Sequence, residues 1–120
     1  APARVVREVL AAAVRTGSAI PALPLEDVAG VDEAGRMSSE ARTGMVRVQT
    51  PQAFRSGPLL AAYQAAAEDG FTGTDTASCV ERYEGVAVQV VSGDPRNIKV
   101  TYPDDLFTAE LILTTSGYEL

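Results

Sequence analysis

Between two short apolar stretches the chain runs through LEDVAGVDEAGRMSSEARTG, residues 25–44, and no buried face can be drawn through those twenty positions. A polar, glycine-containing passage of that length is uncommon inside a compact domain, where it marks a functional loop or a contact arm. A tolerated surface insertion is the alternative. The DEAG turn signal at 32–35 divides two short, weakly alternating stretches, so the passage reads as an exposed hairpin. Whatever fold the remaining residues adopt must close without this segment and leave it outside.

The flanking segments alternate between two periodicities. From Pro2 to Thr16, apolar Val5, Val6, Val9, Leu10, Ala13 and Val14 recur at helical spacing opposite Arg4, Arg7, Glu8 and Arg15. Pro2 suits the first turn of that helix, and Gly17 suits the position just past its end. Ser18 to Leu23 reads as a short buried strand, with Pro21 and Pro24 pointing to its end or to a sheet edge. Met45 to Gln49 is a further strand, TPQAF an irregular connection, and Pro58 opens a helix that runs to Gly70. Thr74 and Asp75 are N-cap candidates for a short helix that stops at Gly85. Val86 to Val91 and Asn97 to Thr101 read as strands separated by the SGDP turn. Thr101 and Asp104 have capping-box spacing ahead of a last helix that begins at Pro103. Helices and strands in this order specify an α/β sheet with helices packed on it.

Composition then removes whole classes of chemistry. With no histidine and one cysteine, the chain can build neither a zinc site nor a histidine-based triad, and it forms no internal disulfide. The single cysteine makes an intracellular, cytoplasmic protein the default. A formal charge of −6 disfavours sequence-independent nucleic-acid binding, which needs a basic surface. No apolar run approaches the ~20 residues that span a bilayer, and the first ten residues carry two arginines and a glutamate rather than a signal-peptide pattern. Carboxylates, hydroxyls, arginines and a single lysine remain for any reaction. That lysine, Lys99, is read near the carboxyl end of the strand 97–101 and opposite its apolar Ile98 and Val100. In α/β folds this end of a strand is where ligands sit.

Four stretches carry a family likeness in order: AIPALPLED (19–27), VQTPQAF (48–54), TDTAS (74–78) and GDPRNIKVTYPDDLFTAELIL (93–113). Together they resemble the C-terminal half of the 2-C-methyl-D-erythritol 4-phosphate cytidylyltransferases, and the related ribitol-5-phosphate cytidylyltransferases share much of the same pattern. The resemblance covers nearly all of the chain. It implies an α/β fold, namely the C-terminal half of a Rossmann-like nucleotidyltransferase sandwich with a protruding β-arm at about 27–42. Residues 1–120 would then be a single partial domain completed by an N-terminal half.

The implied activity is transfer of CMP from CTP to the polyol phosphate with release of pyrophosphate, in the non-mevalonate route to isoprenoids. Magnesium would be held mainly by the other half, and the enzyme would form a homodimer through the arm. Lys99 matches the lysine that contacts the phosphate of the alcohol, and Arg42 the arginine at the base of the arm that reaches the same phosphate across the dimer. Thr50 matches a pocket threonine, and Asp27 the aspartate after the LP strand. Val28, Ala41 and Thr76 replace polar residues usual in the family. The alternatives to the methylerythritol enzyme are a cytidylyltransferase for ribitol 5-phosphate or another polyol phosphate, and a non-catalytic dimerisation remnant.

Overall fold

The apolar stripe of the first helix decides where the core begins. The computed structural model describes residues 1–38, 44–72, 76–85 and 87–115. Within it, α1 (Ala3–Thr16) buries Val5, Val9, Ala12 and Ala13, positions that fall on one face at helical spacing. Leu10 and Val14, read as part of that stripe, are exposed instead. Gly17 ends the helix in the left-handed region and donates its N–H to the Ala13 carbonyl at 2.7 Å. Only glycine adopts that conformation without a Cβ penalty.

The chain then enters β1 (Ser18–Pro24), and here the structure differs from expectation. The two prolines do not put β1 at an edge, because it is the central strand. β4 (Val46–Val48) and β5 (Ala53–Phe54) pair antiparallel with its two ends, and β6 (Gln89–Ser92) pairs parallel with Ala19 to Ala22. Since Ala19 and Ala22 each take partners from both groups, β6 lies on the opposite side of β1 from β4 and β5. Continuing the β4 register places Gln49 opposite Pro21. Without an N–H, Pro21 can only accept, and it takes the Gln49 N–H at 2.8 Å. The antiparallel ladder is therefore interrupted there, and TPQAF, read as wholly irregular, resumes pairing as β5. The Thr50–Pro51 peptide is cis.

The arm is present as β2 (Gly30–Val31) paired antiparallel with β3 (Met37–Ser38), forming a two-stranded sheet of its own. Asp32 organises its turn by accepting the Ala34 and Arg36 N–H groups on Oδ1 at 3.0 and 2.8 Å. Expectations for Arg42 and Ala41, and the Thr74 and Asp75 caps, lie outside the described residues. A second apolar cluster forms where α2 (Ser56–Asp69) meets α3 (Thr76–Glu84), around Ala62, Ala66, Cys79 and Val80.

Two further expectations change near the carboxyl end. Residues 97–101 are not a strand. Their alternating β-branched side chains fit a pleated surface, but such propensity yields to context. Pro95 and the turn after β6 turn the chain away from β1, and the Asn97 side chain is engaged with residues of the β4–β5 connection. The final helix, α4 (Pro103–Thr115), is capped by Asp105 rather than Asp104. Its Oδ2 accepts the N–H groups of Thr101 and Tyr102, each at 2.8 Å.

Candidate functional site

Beyond the carboxyl end of β6, the turn that follows it faces the end of β4 across a cleft of about 450 Å³. The β4 side supplies Arg47, Val48 and Gln49, the connection to β5 supplies Thr50 and Gln52, and the 95–99 segment supplies Pro95, Asn97, Ile98 and Lys99. The lining contains two cations, a hydroxyl, three amides and three apolar side chains, with no carboxylate among them. Arg47 and Lys99 are exposed, and no ion pair joins either one to a carboxylate among the described residues. Two cations without a carboxylate partner among the described residues, set over a cavity with hydrogen-bonding walls, can receive a polar anion of small-molecule size.

The turn carrying Lys99 is fastened from three directions. Gly93 donates its N–H to the Ala22 carbonyl at 2.9 Å, which extends the β6 pairing by one bond. From α1, Arg4 donates to the carbonyls of Ser92 and Gly93 at 3.3 and 2.9 Å. From β4, the Gln49 side chain donates to the carbonyls of Asp94 and Asn97 at 3.0 and 3.2 Å. Asp94, whose side chain is only 13% exposed, sits between Arg96 and Arg4 at 3.3 and 3.8 Å. Hydrogen bonds from the Arg96 side chain and backbone, with the charges of Arg96 and Arg4, hold its carboxyl below the ordinary value against the opposing effect of burial. The Asp105 carboxyl is likewise lowered, by the Tyr102 and Thr101 N–H groups that it caps.

The structure brings Thr50 and Lys99 to one cleft although they lie far apart in sequence. Asp27 is not part of its lining: it occupies an exposed bend with φ 54° where the chain leaves β1 for the arm. Arg42 lies outside the described residues. Reasoning from sequence missed Arg47, Gln49 and Asn97. The only signal was chemical, a guanidinium and two amides set into the β-branched runs VRVQT and RNIKV. Among the described residues, no three histidine, cysteine or acidic side chains come together as a metal site. The magnesium implied by the resemblance therefore finds no fitting donor set here. No helix among the described residues is long and apolar enough to cross a membrane.

Comparison with known proteins shows the family and the fold of the chain. A 2-C-methyl-D-erythritol 4-phosphate cytidylyltransferase of Geobacillus kaustophilus is 44% identical over 111 residues, covering 90% of this chain and 47% of that protein. One from Geotalea uraniireducens is 41% identical over 119 residues, covering 98% of this chain and 51% of the relative. The crystal structure of the Thermus thermophilus enzyme of that name superposes with a TM-score of 0.78 at 35% identity, over 91% of this chain and 54% of that one. The 4-diphosphocytidyl-2C-methyl-D-erythritol synthase of Anaerococcus prevotii gives a TM-score of 0.80 at 26% identity, over 92% and 50%. The chain thus has the mixed α/β nucleotidyltransferase fold and spans about half the length of the curated relatives it matches. Those shares measure how much is matched and do not carry the expected placement in the C-terminal half. The family profile for IspD, 2-C-methyl-D-erythritol 4-phosphate cytidylyltransferase, matches residues 1–115, and the chain belongs to that family.

Proposed function

We propose that this chain contributes the acceptor-phosphate wall of a cytidylyltransferase that transfers CMP from CTP to 2-C-methyl-D-erythritol 4-phosphate. The carrying observation is the cleft itself, with Lys99, Arg47 and Thr50 around one cavity and no acid among its described lining residues. A phosphate monoester docks there against the Lys99 ammonium, a compact charge on a flexible stem. Arg47 offers a planar fork for two of its oxygens. Held by two of its oxygens, the phosphate monoester presents its remaining oxygen in line with the α-phosphorus of the nucleotide. The new P–O bond closes a diphosphate bridge as the bond from the α-phosphorus to its bridging oxygen breaks, and pyrophosphate departs with that electron pair. Positioning and neutralisation of charge are the protein's main contributions to such a displacement. Arg42 joins this grip through the resemblance, from the arm of a second copy. Asp27 keeps a substrate role on the resemblance alone.

The reading assigns the chain to the C-terminal half of the family fold, following the order of the four quoted stretches. Helix α4 supports its being one part of a larger sandwich. Leu106, Phe107, Leu111 and Leu113 are exposed, and the helix buries none of its residues. A helix apolar around most of its circumference belongs inside an enclosed layer, which an N-terminal half supplies. That half also supplies the CTP phosphate loop and the magnesium ligands. In the arm, the cross-strand pair Val31 and Met37 is 74% and 73% exposed, an apolar patch for a homodimer contact. Substrates of this charge belong in the cytoplasm, and neither a membrane nor a nucleic acid takes part.

Pyrophosphate release from CTP and methylerythritol phosphate tests the reading. The 120-residue chain alone should stay at the uncatalysed background, and mixing it with the separately produced N-terminal half of a relative should restore turnover. Turnover by the chain alone refutes the half assignment. Ribitol 5-phosphate serving as the faster acceptor refutes the substrate.

A further inference from the structure

Lys99 stands in a segment that no sheet positions. Residues 97–101 pair with no strand among the described residues, so the place of the ammonium over the cleft depends on how the segment's two ends are held. At the far end, Asp105 takes the N–H groups of Thr101 and Tyr102, and Thr101 Oγ1 donates to the Lys99 carbonyl at 3.1 Å. At the near end, the side-chain amide of the residue just after β4 joins the turn to the start of the segment. Gln49 Nε2 donates to the Asp94 and Asn97 carbonyls at 3.0 and 3.2 Å. Its Oε1 accepts the Asp94 N–H at 3.1 Å and the Asn97 Nδ2–H at 3.4 Å.

A primary amide has two N–H donors and two lone pairs, and all four of these contacts go to one turn. Asn97 returns the connection by donating Nδ2 to the Thr50 carbonyl at 2.7 Å, which joins the Lys99 segment to the other cleft residue. Gly93 shows how closely the amide is seated. A Cβ at that position would collide with Gln49 Oε1, lie 3.0 Å from its Cδ and come within 3.3 Å of the Ala22 carbonyl. The Gln49 backbone is itself anchored, because its N–H is bound by Pro21 in the central strand.

We propose that Gln49 is a positioning residue for the acceptor-phosphate cleft: its side-chain amide, with Asn97, sets the start of the 97–101 segment and so fixes the Lys99 ammonium opposite Thr50. The proposal rests on the reading of Lys99 as a phosphate-contacting cation. It adds a residue that touches no substrate and acts through the backbone. The chemistry requires an amide at this point. A carboxylate keeps the shape but turns both donors into acceptors facing the Asp94 and Asn97 carbonyls, and an apolar side chain leaves part-buried backbone groups without partners.

The test compares the wild-type chain with Gln49→Glu, Asn97→Ala and Lys99→Ala. Affinity for 2-C-methyl-D-erythritol 4-phosphate is measured by calorimetric titration, and order at the Lys99 amide by ¹⁵N relaxation. Gln49→Glu should weaken binding roughly tenfold, about the effect of losing one charge-assisted hydrogen bond. It should also lower the Lys99 order parameter from about 0.85 towards 0.6, with α1 and β1 unchanged. Asn97→Ala, which removes two of the bonds and no core contact, should do the same to a smaller degree, and it decides the matter if Gln49→Glu does not fold. Lys99→Ala should lose binding while the 94–97 turn stays rigid. If the wild type does not bind the phosphate, or Lys99→Ala binds as tightly as wild type, the reading of the cleft fails, and the order parameter still decides the role of Gln49. Wild-type order at Lys99 in both amide variants overturns the proposal.

Discussion

Replacing Lys99 by alanine should separate a binding role from a structural one. The side chain is exposed, in a segment without sheet partners, so the fold loses little, and the effect on stability should lie within about ±0.5 kcal/mol. The binding effect is larger. Opposite charges 4 Å apart interact by roughly 1 kcal/mol in bulk water and 4 kcal/mol near a protein surface. A half-open cleft already holding Arg47 lies between those limits, and a hydrogen bond to a charged group contributes about 1.5–3 kcal/mol. Taking about 2 kcal/mol, affinity for the polyol phosphate should fall roughly thirtyfold, since 1.4 kcal/mol corresponds to about tenfold. In the completed enzyme, kcat should fall by roughly 10² to 10³, as for the loss of one preorganised donor. Calorimetric titration with methylerythritol phosphate and a thermal melt on the same sample provide both numbers. Lys99→Arg adds a sharper comparison, because its charge is kept while its planar fork extends farther and cannot occupy the same point. Wild-type affinity and kcat in Lys99→Arg would refute the assignment, since a cation that merely solvates the surface tolerates that exchange.

Acid should weaken the 93–105 region first. Asp94 and Asp105 have folded pKa values below the ordinary 3.8, so their stabilisation is complete above that value and is lost as pH falls through the lowered folded values. Asp94→Asn should flatten the decline of melting temperature below pH 4, and an unchanged slope would count against the Arg96 and Arg4 contacts. Gly93→Ala should displace the Gln49 amide at a cost of about 1–3 kcal/mol, read from urea unfolding and from the side-chain NH₂ signals of Gln49. Asp32→Ala should remove both turn bonds and raise hydrogen exchange in the arm while leaving the global melt in place, because among the described residues β2 and β3 pair only with each other.

Local chemistry is what the sequence alone determined. The helical period of α1, the glycine stop at Gly17, the DEAG hairpin and the Pro103 helix start all depend on periodicity or on the conformational limits of one residue, and each appears where it was read, although Leu10 and Val14 of the α1 stripe are exposed. The absence of histidine bounded the chemistry, and the order of helices and strands indicated the α/β class before any contact was known. Lys99 and Thr50 were singled out because their motifs resemble a family, and the structure places both in one cleft.

Pairing and reach were decided only in three dimensions. Pro21 reads as an edge signal from local rules, yet it lies in the central strand because its missing N–H faces Gln49 where the neighbouring ladder breaks. The segment 97–101 has strand composition but no partner edge among the described residues, so its backbone follows side-chain amides and a carboxylate cap instead. Arg47, Gln49 and Asn97 carry no local signature of their joint role, because it arises from β4 meeting the turn after β6, more than forty residues along the chain. A side chain's hydrogen-bonding capacity is fixed by its type, but its partners depend on which strands lie side by side, and only the closed sheet specifies that.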